Sequence, residues 1–551
     1  MTGPTILGPD GKALPRPRAS ALAGSSGTPW DGADVYGQHT AGWNPLLWSP
    51  DVEINQYRDR LVSRVRDLVR NDGWASGTVT RILDAAIGGE FRPIAKPDYR
   101  ALAALSGNPA FDHVWADEFG RAVDAAWRTW ADDPGRYCDA GRRLTFTQQA
   151  RVAFRHKLVD GDALALVLWL PERMGPGRAR YATSLQLIDP DRLSNPAQAY
   201  DTEWCRGGVE IDRYGAAVAY HIRRAHQGDW FAAAQAVSWE RVAREDEFGR
   251  ARVVHDFEHD RAGQHRGGAG IFTPVLTRLK MLIKYDSTEL DAAIINALLA
   301  AYIESPFDPA LVGEAHGEGE GLGAYQEQRA GFHQERGLRL NGARIPTLFP
   351  GEKINAVAAS RPVSNFADFE SAVLRNVAAG AGVAEQTVSQ DWSRTNYSSA
   401  RAALLEAWKT MNRRRADFGA GFASPARTAW LEEEFDRNEL PLPSGASARG
   451  RATGEVPDFI EARGAYARCR WIGPGRGWID PVDEKAGAIL GIDAGLSTLD
   501  AECAENVGVD WQEILHQRAL EIDSFKKLGL PLPSWANAQT ARDAAKKPEA
   551  Q

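Results

Sequence analysis

The segment Asn396-Tyr397-Ser398-Ser399-Ala400-Arg401-Ala402-Ala403-Leu404-Leu405-Glu406 is the stretch that decides the fold of this chain. Alanine, leucine, arginine and glutamate are strong helix formers, so a helix is predicted to begin near Ser398. The residues before it, Gln386 to Thr395, are polar and carry few charges. The pattern therefore predicts a polar loop that leads directly into a helix.

The length and composition predict a soluble protein with several substructures. At 551 residues the chain exceeds the size at which one hydrophobic core stops growing. Hydrophobic residues at 43% and charged residues at 25% are ordinary for a globular protein. Eighteen tryptophans are many for this length, and their rings suit both core packing and subunit interfaces. Composition leaves both uses open.

The charge balance is slightly acidic. Asp and Glu total 73 against 65 Lys and Arg, which gives a formal net charge of −8. A protein that grips nucleic acid tightly usually has a basic excess. The balance therefore argues against tight nucleic-acid binding, although mild acidity is common among soluble proteins.

Cysteine spacing and hydropathy exclude several protein classes. Cys138, Cys205, Cys469 and Cys503 are far apart and form no C-x-x-C pair, so neither a disulfide framework nor a structural zinc site is predicted. No apolar run reaches the ~18 residues that a membrane span needs. Met1 to Trp30 is rich in Gly, Pro, Ser and Ala, and is predicted to be a disordered arm rather than a signal peptide or an anchor.

Helical patterns come first in the chain, and strand patterns follow. Helices are predicted over Val52 to Ile87 with a break at Asn71-Asp72-Gly73, over Phe111 to Trp130, and from the capping box of Thr145 and Gln148 to Leu158. Strands are predicted at Ala163 to Leu170, Leu185 to Ile188, Val209 to Asp212, Val218 to Ile222 and Val253 to Phe257. The third and fourth of these flank Tyr214-Gly215 and are predicted to form a hairpin. Helices followed by strands indicate an α+β fold.

A long helix and a glycine-rich stretch make up the middle of the chain. Thr273-Pro274 predicts a helix to about Ile303, which would be roughly 45 Å long. Glu304 to Gly337 is rich in Gly, Glu and Gln and is predicted to be an exposed loop. The other expected elements are an extended Ile345 to Ile354, a helix Ser364 to Ala379, a linker Pro441 to Gly454, and helices from Pro481 to Lys527 with a cap at Ser497.

Two patterns are only superficially like ligand sites. His255 and His259 are four residues apart, but the stretch is predicted to end a strand, which favours a solvated polar end over a metal site. Gly473 to Gly477 lacks phosphate-loop spacing, and a turn packed by Trp471 and Trp478 is favoured. The sequence contains no G-x-S-x-G, H-E-x-x-H or EF-hand motif. No metal, cofactor or enzymatic activity is predicted.

Three polar runs leave alternatives open. Asp189-Pro190-Asp191 is interpreted as turn chemistry, with paired carboxylate catalysis as the alternative. Arg413-Arg414-Arg415 is interpreted as a solvated helix end that satisfies the dipole, with contact to DNA phosphates as the alternative. Gln386 to Asn396 is either an ordinary loop between helices or a segment whose hydroxyls and amides touch DNA weakly.

Several segments, in this order, resemble the lambda-type portal proteins of tailed phages. They are Arg70 to Ala75, Asp160 to Ala163, Leu187 to Leu193, Val254 to Phe257, Arg261 to Gly267, Leu348 to Glu352, Thr395 to Glu406 and Arg470 to Pro474. The resemblance runs from about Asn44 to Arg518. It departs from the family pattern at Glu304 to Gly337.

The resemblance implies a portal fold with wing, paired-helix stem, clip and helical crown, assembled as a ring oligomer. The implied divisions are a disordered arm at 1–43, an α+β wing at 44–272, a first stem helix at 273–303, a clip at 304–362, a second stem helix at 363–383, a tunnel loop at 384–396, wing helices at 397–440, a linker at 441–456, C-terminal wing or crown helices at 457–530, and a disordered tail at 531–551.

The resemblance also implies which residues meet the partners. The tunnel-loop residues in the DNA channel would be Gln386, Ser389, Gln390, Ser393, Arg394 and Asn396. The clip positions that dock the terminase or an adaptor would be 337, 339 and 344, which are occupied by Gly337, Arg339 and Arg344.

The implied function is a dodecameric channel at the unique capsid vertex. It would nucleate the procapsid, dock the large terminase subunit, pass double-stranded DNA in packaging and ejection, and join head to tail. Expected partners are other copies of the chain, DNA, terminase, a head-completion adaptor, and major capsid and scaffold proteins; no membrane is expected. The expected location is the virion, after assembly in the host cytoplasm. The alternatives are an adaptor or scaffold without a channel, and a hydrolase that would lose activity on Asp189→Ala or Asp256→Ala.

Overall fold

The computed structural model describes residues 30–35, 38–298, 366–393, 396–443 and 457–533, and the short segments 302–304, 327–328, 330–332, 338–340, 343–345 and 353–355. These residues combine helices with small antiparallel sheets, which confirms the predicted α+β class. Most of the arm predicted at 1–43 lies outside the described residues, and Asp31–Ala33 form a 3-10 turn.

The helices predicted at the start of the chain are present. They are α1 (Pro50–Asn55), α2 (Arg58–Asn71), α3 (Gly73–Ala86), α5 (His113–Ala131) and α6 (Phe146–Asp160), and between α3 and α5 lies a helix that was not predicted, α4 (Tyr99–Ser106). Helix α6 opens with the predicted capping box of Thr145 and Gln148. The helical periodicity of the sequence does not predict α4, because this helix has only 8 residues. Its start is marked by Asp98, whose side chain accepts from the amide of Ala101.

The described residues of the first half of the chain form eight strands. They are β1 (Arg92–Ala95), β2 (Asp162–Trp169), β3 (Thr183–Ile188), β4 (Cys205–Arg206), β5 (Val209–Ile211), β6 (Ala217–Arg223), β7 (Trp239–Ala243) and β8 (Val253–Phe257). Strands β3, β2 and β8 form one antiparallel sheet, and β4 to β7 form a second in chain order. A short helix, α7 (Ala233–Ala236), lies between β6 and β7. The predicted hairpin is confirmed as the pair β5 and β6.

The central strand β2 is apolar on both faces. Ala163 and Ala165 belong to the main helical core, whereas Leu164 packs with Val209 and Tyr220 of the second sheet. A strand that is covered on both sides has no solvent face, so its sequence does not alternate. The three-stranded sheet thus lies between the helices and the second sheet.

The middle of the chain departs from the prediction at one point. After the turn Thr273–Val275, helix α8 spans Leu276–Leu298, and Tyr302–Glu304 form strand β9 instead of extending the helix to Ile303. Strands β10 (Leu338–Leu340) and β11 (Ala343–Ile345) pair with each other, and β12 (Lys353–Asn355) pairs with β9. The rest of the predicted extended stretch to Ile354, and most of the predicted loop at Glu304 to Gly337, lie outside the described residues.

A nearly continuous helix crosses the core in the second half. After α9 (Phe366–Ala381) and α10 (Glu385–Ser389), helix α11 (Tyr397–Phe418) passes through a π-helical turn, Gly419–Ala423, into α12 (Ser424–Asp436). The prediction that this helix ends at Arg413-Arg414-Arg415 is wrong. Phe418 and Phe422 are fully buried, so core packing carries the helix onward.

The C-terminal part returns to the first half of the fold. It contains α13 (Arg463–Tyr466), β13 (Cys469–Ile472), α14 (Pro481–Asp493), α15 (Leu499–Glu502) and α16 (Trp511–Lys527). Strand β13 pairs with β1. The cap of α15 is Thr498, which accepts from Ala501, and not the predicted Ser497. Most of the predicted linker lies outside the described residues.

Some of the tryptophans confirm the predicted core role, and others lie on the surface. Trp127, Trp130 and Trp430 are buried together in the core, with ring centroids 4.9–6.2 Å apart. Trp43 and Trp230 are exposed. Within the described ranges, no helix is both long and apolar enough to cross a bilayer.

Candidate functional site

Two helices that pack on each other support the segment predicted to meet DNA. Leu282 of α8 and Leu374 of α9 are buried in one apolar cluster, together with Val388 of α10. Farther along the pair, Tyr285 stacks on Phe366 at 5.5 Å between ring centroids. The two helices expected to form a pair therefore do pack together, and the polar segment begins at their junction.

The polar segment is only partly a loop. Gln386 and Ser389 lie in helix α10, which corrects the prediction of a loop over Gln386 to Asn396. The physical reason is Val388, whose complete burial holds this turn against α8 and α9. Ser393 and Asn396 lie outside helices and are exposed, whereas Arg394 lies outside the described residues.

Gln390 ends helix α10. Its backbone has a φ of +55°, and its amide donates to the carbonyl oxygen of Gln386. The side-chain Nε2 donates to the carbonyl oxygens of Gln386 and Thr387 at 3.3 and 3.1 Å. Gln390 is thus a helix C-cap, in addition to being exposed at the start of the loop.

The positions predicted for docking lie on a hairpin or outside the described residues. Arg339 in β10 and Arg344 in β11 are direct partners across the antiparallel pair. Their backbones are therefore adjacent. Gly337 lies outside the described residues, and as a glycine it has no side-chain charge to offer a partner. The two arginines of the hairpin are thus the charged docking candidates.

Four of the resembling segments converge on one buried ion cluster, which motif reasoning missed as a unit. Asp162 is completely buried and accepts from Arg58 at 2.8 Å and from Arg266 at 2.8 and 3.0 Å. His255 contacts its other oxygen at 3.0 Å. Burial favours the neutral acid, but Arg266 and Arg58 hold the pKa of Asp162 far below its ordinary value.

A second group of charges extends the cluster toward the surface. Arg66 contacts Asp160 at 2.7 Å, Asp189 at 3.0 Å and Asp191 at 2.5 Å. Asp189 also accepts from the amide of Asp191, so the Asp-Pro-Asp turn is confirmed. Burial raises the pKa of Asp191, whereas the amide of Asp191 and Arg66 outweigh burial and lower the pKa of Asp189. Both carboxylates are structural ion partners of one arginine.

The two histidines four residues apart do not converge. His255 lies in strand β8 and contacts Asp162, whereas His259 lies beyond the strand, with its ring centroid 4.2 Å from that of Phe257. Asp256, the other carboxylate considered for catalysis, pairs with Lys157 at 2.7 Å. These groups act in the packing of β8.

The arginine run caps the ends of other helices. Arg415 is buried and donates to the carbonyl oxygens of Ala85, Ala86 and Pro474 at 2.8–2.9 Å, which corrects the prediction of a solvated run. Arg414 donates to the carbonyl oxygen of Ala381, the last residue of α9. The arginines therefore do contact the negative ends of helices, but these are the ends of α3 and α9 and not the end of their own helix.

The Arg415→Met substitution is expected to lower the free energy of unfolding by about 3 kcal/mol, because it leaves buried carbonyl groups without donors. Arg413→Met is the matched control, because Arg413 is exposed and pairs only with surface carboxylates. We expect the control to change stability by no more than about 0.5 kcal/mol in urea unfolding. Equal effects of the two substitutions would contradict the capping role of Arg415.

The glycine-rich segment beside Arg415 has no room for a side chain at Gly473 or Gly475. A Cβ at Gly473 would lie 2.9 Å from Nε of Arg415 and 3.0 Å from the carbonyl oxygen of Ala86. Trp471 packs on Phe91 at 4.8 Å, whereas the flanking Trp478 faces Lys485. The prediction of a tight turn packed by Trp471 and Trp478 is wrong. The segment has a bend at Pro474, the amides of Arg476 and Gly477 donate to the carbonyl oxygens of Glu505 and Asn506, and Arg415 donates to the carbonyl oxygen of Pro474.

A family model described as phage portal protein, lambda family, matches residues 36–415. This chain belongs to the lambda family of phage portal proteins. It is 33% identical over 543 residues to portal protein B of Escherichia phage lambda, with 98% of this chain and 96% of that protein covered. The portal protein of Escherichia phage N15 is 33% identical over 544 residues, with the same coverage. Among solved structures, the neck of an empty GTA particle overlaps at a TM-score of 0.45 and 16% identity, covering 84% of this chain and 96% of that one.

The family assignment confirms the resemblance on which the sequence prediction rested. Within this portal protein, Asp160 to Ala163, Leu187 to Leu193, Val254 to Phe257 and Arg261 to Gly267 all contribute to the Asp162 cluster. Arg58 completes it, although its place in the sequence carries no signal beyond helical spacing. The segments are therefore distinctive because they build one buried network.

Proposed function

We propose that this portal protein forms a ring of twelve copies at one capsid vertex. The ring nucleates the procapsid, docks the large terminase subunit, conducts double-stranded DNA in both directions, and receives a head-completion adaptor. The chain itself catalyses no step. The ring is assembled in the host cytoplasm with capsid and scaffold proteins and remains in the virion.

One observation carries the channel proposal. The stretch from Gln390 to Asn396, whose described residues 390–393 and 396 are exposed, begins where the paired helices α8 and α9 meet and leads into α11. Val388 fixes its start in the apolar cluster, while Ser393 and Asn396 present a hydroxyl and an amide to solvent. Short-lived polar contacts let a phosphate backbone move, whereas many cations would hold it by counterion release.

The divisions of the proposed portal follow the elements. Residues 44–272 form the wing, α8 and α9 form the stem, and the short strands β9 to β12 belong to the clip between them. The tunnel segment is Gln390 to Asn396, shortened from the sequence prediction because α10 precedes it. Helices α14 to α16 form the crown. Arg339 and Arg344 remain the proposed docking residues of the clip.

Most of the net negative charge of the chain lies in the proposed crown. Between residues 479 and 530, eleven Asp and Glu against four Lys and Arg leave a net charge of −7, compared with −8 for the whole chain. The tunnel segment is nearly uncharged, with Asp391 and Arg394 offsetting each other. DNA passage is therefore attributed to weak polar contacts in the tunnel and to repulsion at the crown.

The Ser393→Lys substitution is expected to make the ring adhesive. Twelve added cations at the bore would raise the affinity for linear double-stranded DNA about tenfold at low salt and steepen its salt dependence. Fluorescence anisotropy of a labelled duplex at several salt concentrations measures both. The control is Thr129→Lys, an exposed position on wing helix α5 with the same added charge. Indistinguishable affinities of the two variants would remove Ser393 from the channel wall.

Single-particle images of the purified full chain test the function as a whole. A perforated ring with a stalk supports the portal proposal. A solid particle or a stable monomer at assembly concentrations would instead favour an adaptor or scaffold without a channel. If a ring is seen, images of the ring with bound gold-labelled DNA duplexes would locate the DNA path relative to the stem.

A further inference from the structure

Helix α14 presents its apolar residues to solvent. Val482, Ile489 and Leu490 are exposed and lie at positions i, i+7 and i+8, which share one side of the helix. The other side packs inward through Glu484, whose side chain is only 6% exposed and pairs with Arg401 at 3.6 Å and Arg476 at 3.5 Å. The helix therefore turns a charged residue inward and an apolar stripe outward, the opposite of a helix whose packing is complete.

The charges around this stripe restrict what can cover it. Asp483 and Asp493 are exposed on the same helix, and neither forms an ion pair among the described residues. The segment that contains α14 and the helices after it has a net charge of −7 between residues 479 and 530, against −8 for the whole chain. Two identical stripes facing each other would bring like charges together, so a symmetric contact of α14 with α14 is disfavoured. The stripe fits a partially apolar surface that carries cations.

The same chain carries such a surface on helix α2. Arg60 and Arg64 are exposed, and no ion pair between described residues includes them. Tyr57, which is exposed, and Leu61, which is half-buried, lie on the same side at i, i+4. Here two cations flank an aromatic and an aliphatic side chain, which complements carboxylates that flank an apolar stripe. We call Tyr57, Arg60, Leu61 and Arg64 the α2 ridge.

We propose that the apolar stripe of α14 in one copy packs against the α2 ridge of the next copy. The contact joins two different surfaces, so it is heterologous and can repeat around a closed ring. Burial of Ile489 and Leu490 supplies the stability, and pairing of Asp483 and Asp493 with arginines sets the orientation. The inference rests on the proposed function, because it assigns one interface of the proposed ring.

The first test measures assembly against protein concentration by mass photometry. The double substitution Ile489→Asp and Leu490→Asp is expected to raise the concentration at half-assembly about 100-fold, because each copy loses two buried apolar side chains and gains like charges. The control is Leu105→Asp on α4, because Leu105 is 65% exposed and Leu490 is 69% exposed. Thermal unfolding at low concentration confirms that the variants fold.

The outcomes separate this inference from the proposed function. A wild-type chain that never forms a ring overturns the proposed function and this inference with it. If the wild-type chain forms a ring, and the double substitution affects assembly no more than Leu105→Asp does, this inference alone is overturned. The stripe then has another occupant or none. Loss of assembly in the double variant alone supports the contact.

A charge exchange tests which surface receives the stripe. Arg64→Glu and Asp493→Arg are each expected to weaken assembly about tenfold, since each places like charges at every contact around the ring. The two substitutions in one chain are expected to restore assembly, because each contact then pairs the exchanged charges. A combined variant no better than Arg64→Glu alone would overturn the assignment of the α2 ridge.

Discussion

The Asp162→Asn substitution is expected to lower the free energy of unfolding of this portal protein by about 3–5 kcal/mol. Asp162 is fully buried and neutralises Arg58 and Arg266, which are themselves buried. Asparagine keeps the shape but removes the charge, so the two guanidinium groups lose the buried counterion that they share. Breaking such a cluster costs more than the cluster contributes, because the remaining charges cannot reach water. Urea unfolding followed by tryptophan fluorescence measures the effect.

The matched control for this experiment is Asp59→Asn. Asp59 also lies near Arg58, at 3.9 Å, but its side chain is 84% exposed. We expect a change of no more than about 0.5 kcal/mol, since exposed pairs contribute little. If the two asparagine variants unfold at the same urea concentration, the buried cluster is not the stabilising network inferred from its geometry.

Acid should act on the same cluster. The pKa of Asp162 in the folded chain lies far below its unfolded value, so its contribution is fully present above the unfolded pKa and is lost as the pH falls toward the folded one. The wild-type chain should therefore lose more stability on acidification than Asp162→Asn does. The free energy of unfolding falls with decreasing pH because Asp162 binds a proton more readily in the unfolded state than in the folded state.

Elements with local signals could be predicted from the sequence. The Thr145 capping box, the hairpin around Tyr214-Gly215 and the helix α9 each depend on residues that are neighbours in the chain. Hydrogen bonds to adjacent turns and a single apolar face decide such elements. Their boundaries moved by only a few residues in the structure.

Elements that depend on distant partners could not be predicted. Strand β1 pairs with β13, where Arg92 faces Ile472, and neither short segment has a strand pattern of its own. Arg415 looks like part of a solvated cationic run, because its three carbonyl partners come from segments far away in sequence. A charged residue is buried only when its partners are present, and sequence order does not show where they will be.

The candidate site was predicted in part for the same reason. The polar composition of Gln386 to Asn396 indicated an exposed loop, and Ser393 and Asn396 are exposed. The apolar residue Val388 makes the first part a helix instead, because α8 and α9 together provide a cluster that buries it. One buried side chain thus converts half of a polar stretch into a helix that anchors the other half.

The Gly161→Ala substitution is expected to prevent folding, or to cost at least about 4–5 kcal/mol, because it affects the backbone on which the Asp162 cluster is built. Gly161 has a φ of +90°, and a Cβ there would overlap the carbonyl oxygen of Gly268. That overlap involves backbone on both sides, so no side-chain rotation relieves it. Moving the two segments apart would break the 2.6 Å hydrogen bond from the amide of Gly267 to Asp162. Gly177→Ala is the control: its φ is +71°, but no atom lies within 4 Å of the added carbon, so it should cost only about 1 kcal/mol. Soluble yield and urea unfolding compare the two variants. Similar losses of stability in the two variants would mean that the left-handed backbone conformation alone requires glycine at position 161. A much larger loss at Gly161 would show that the close approach of the two segments holds the buried charges together.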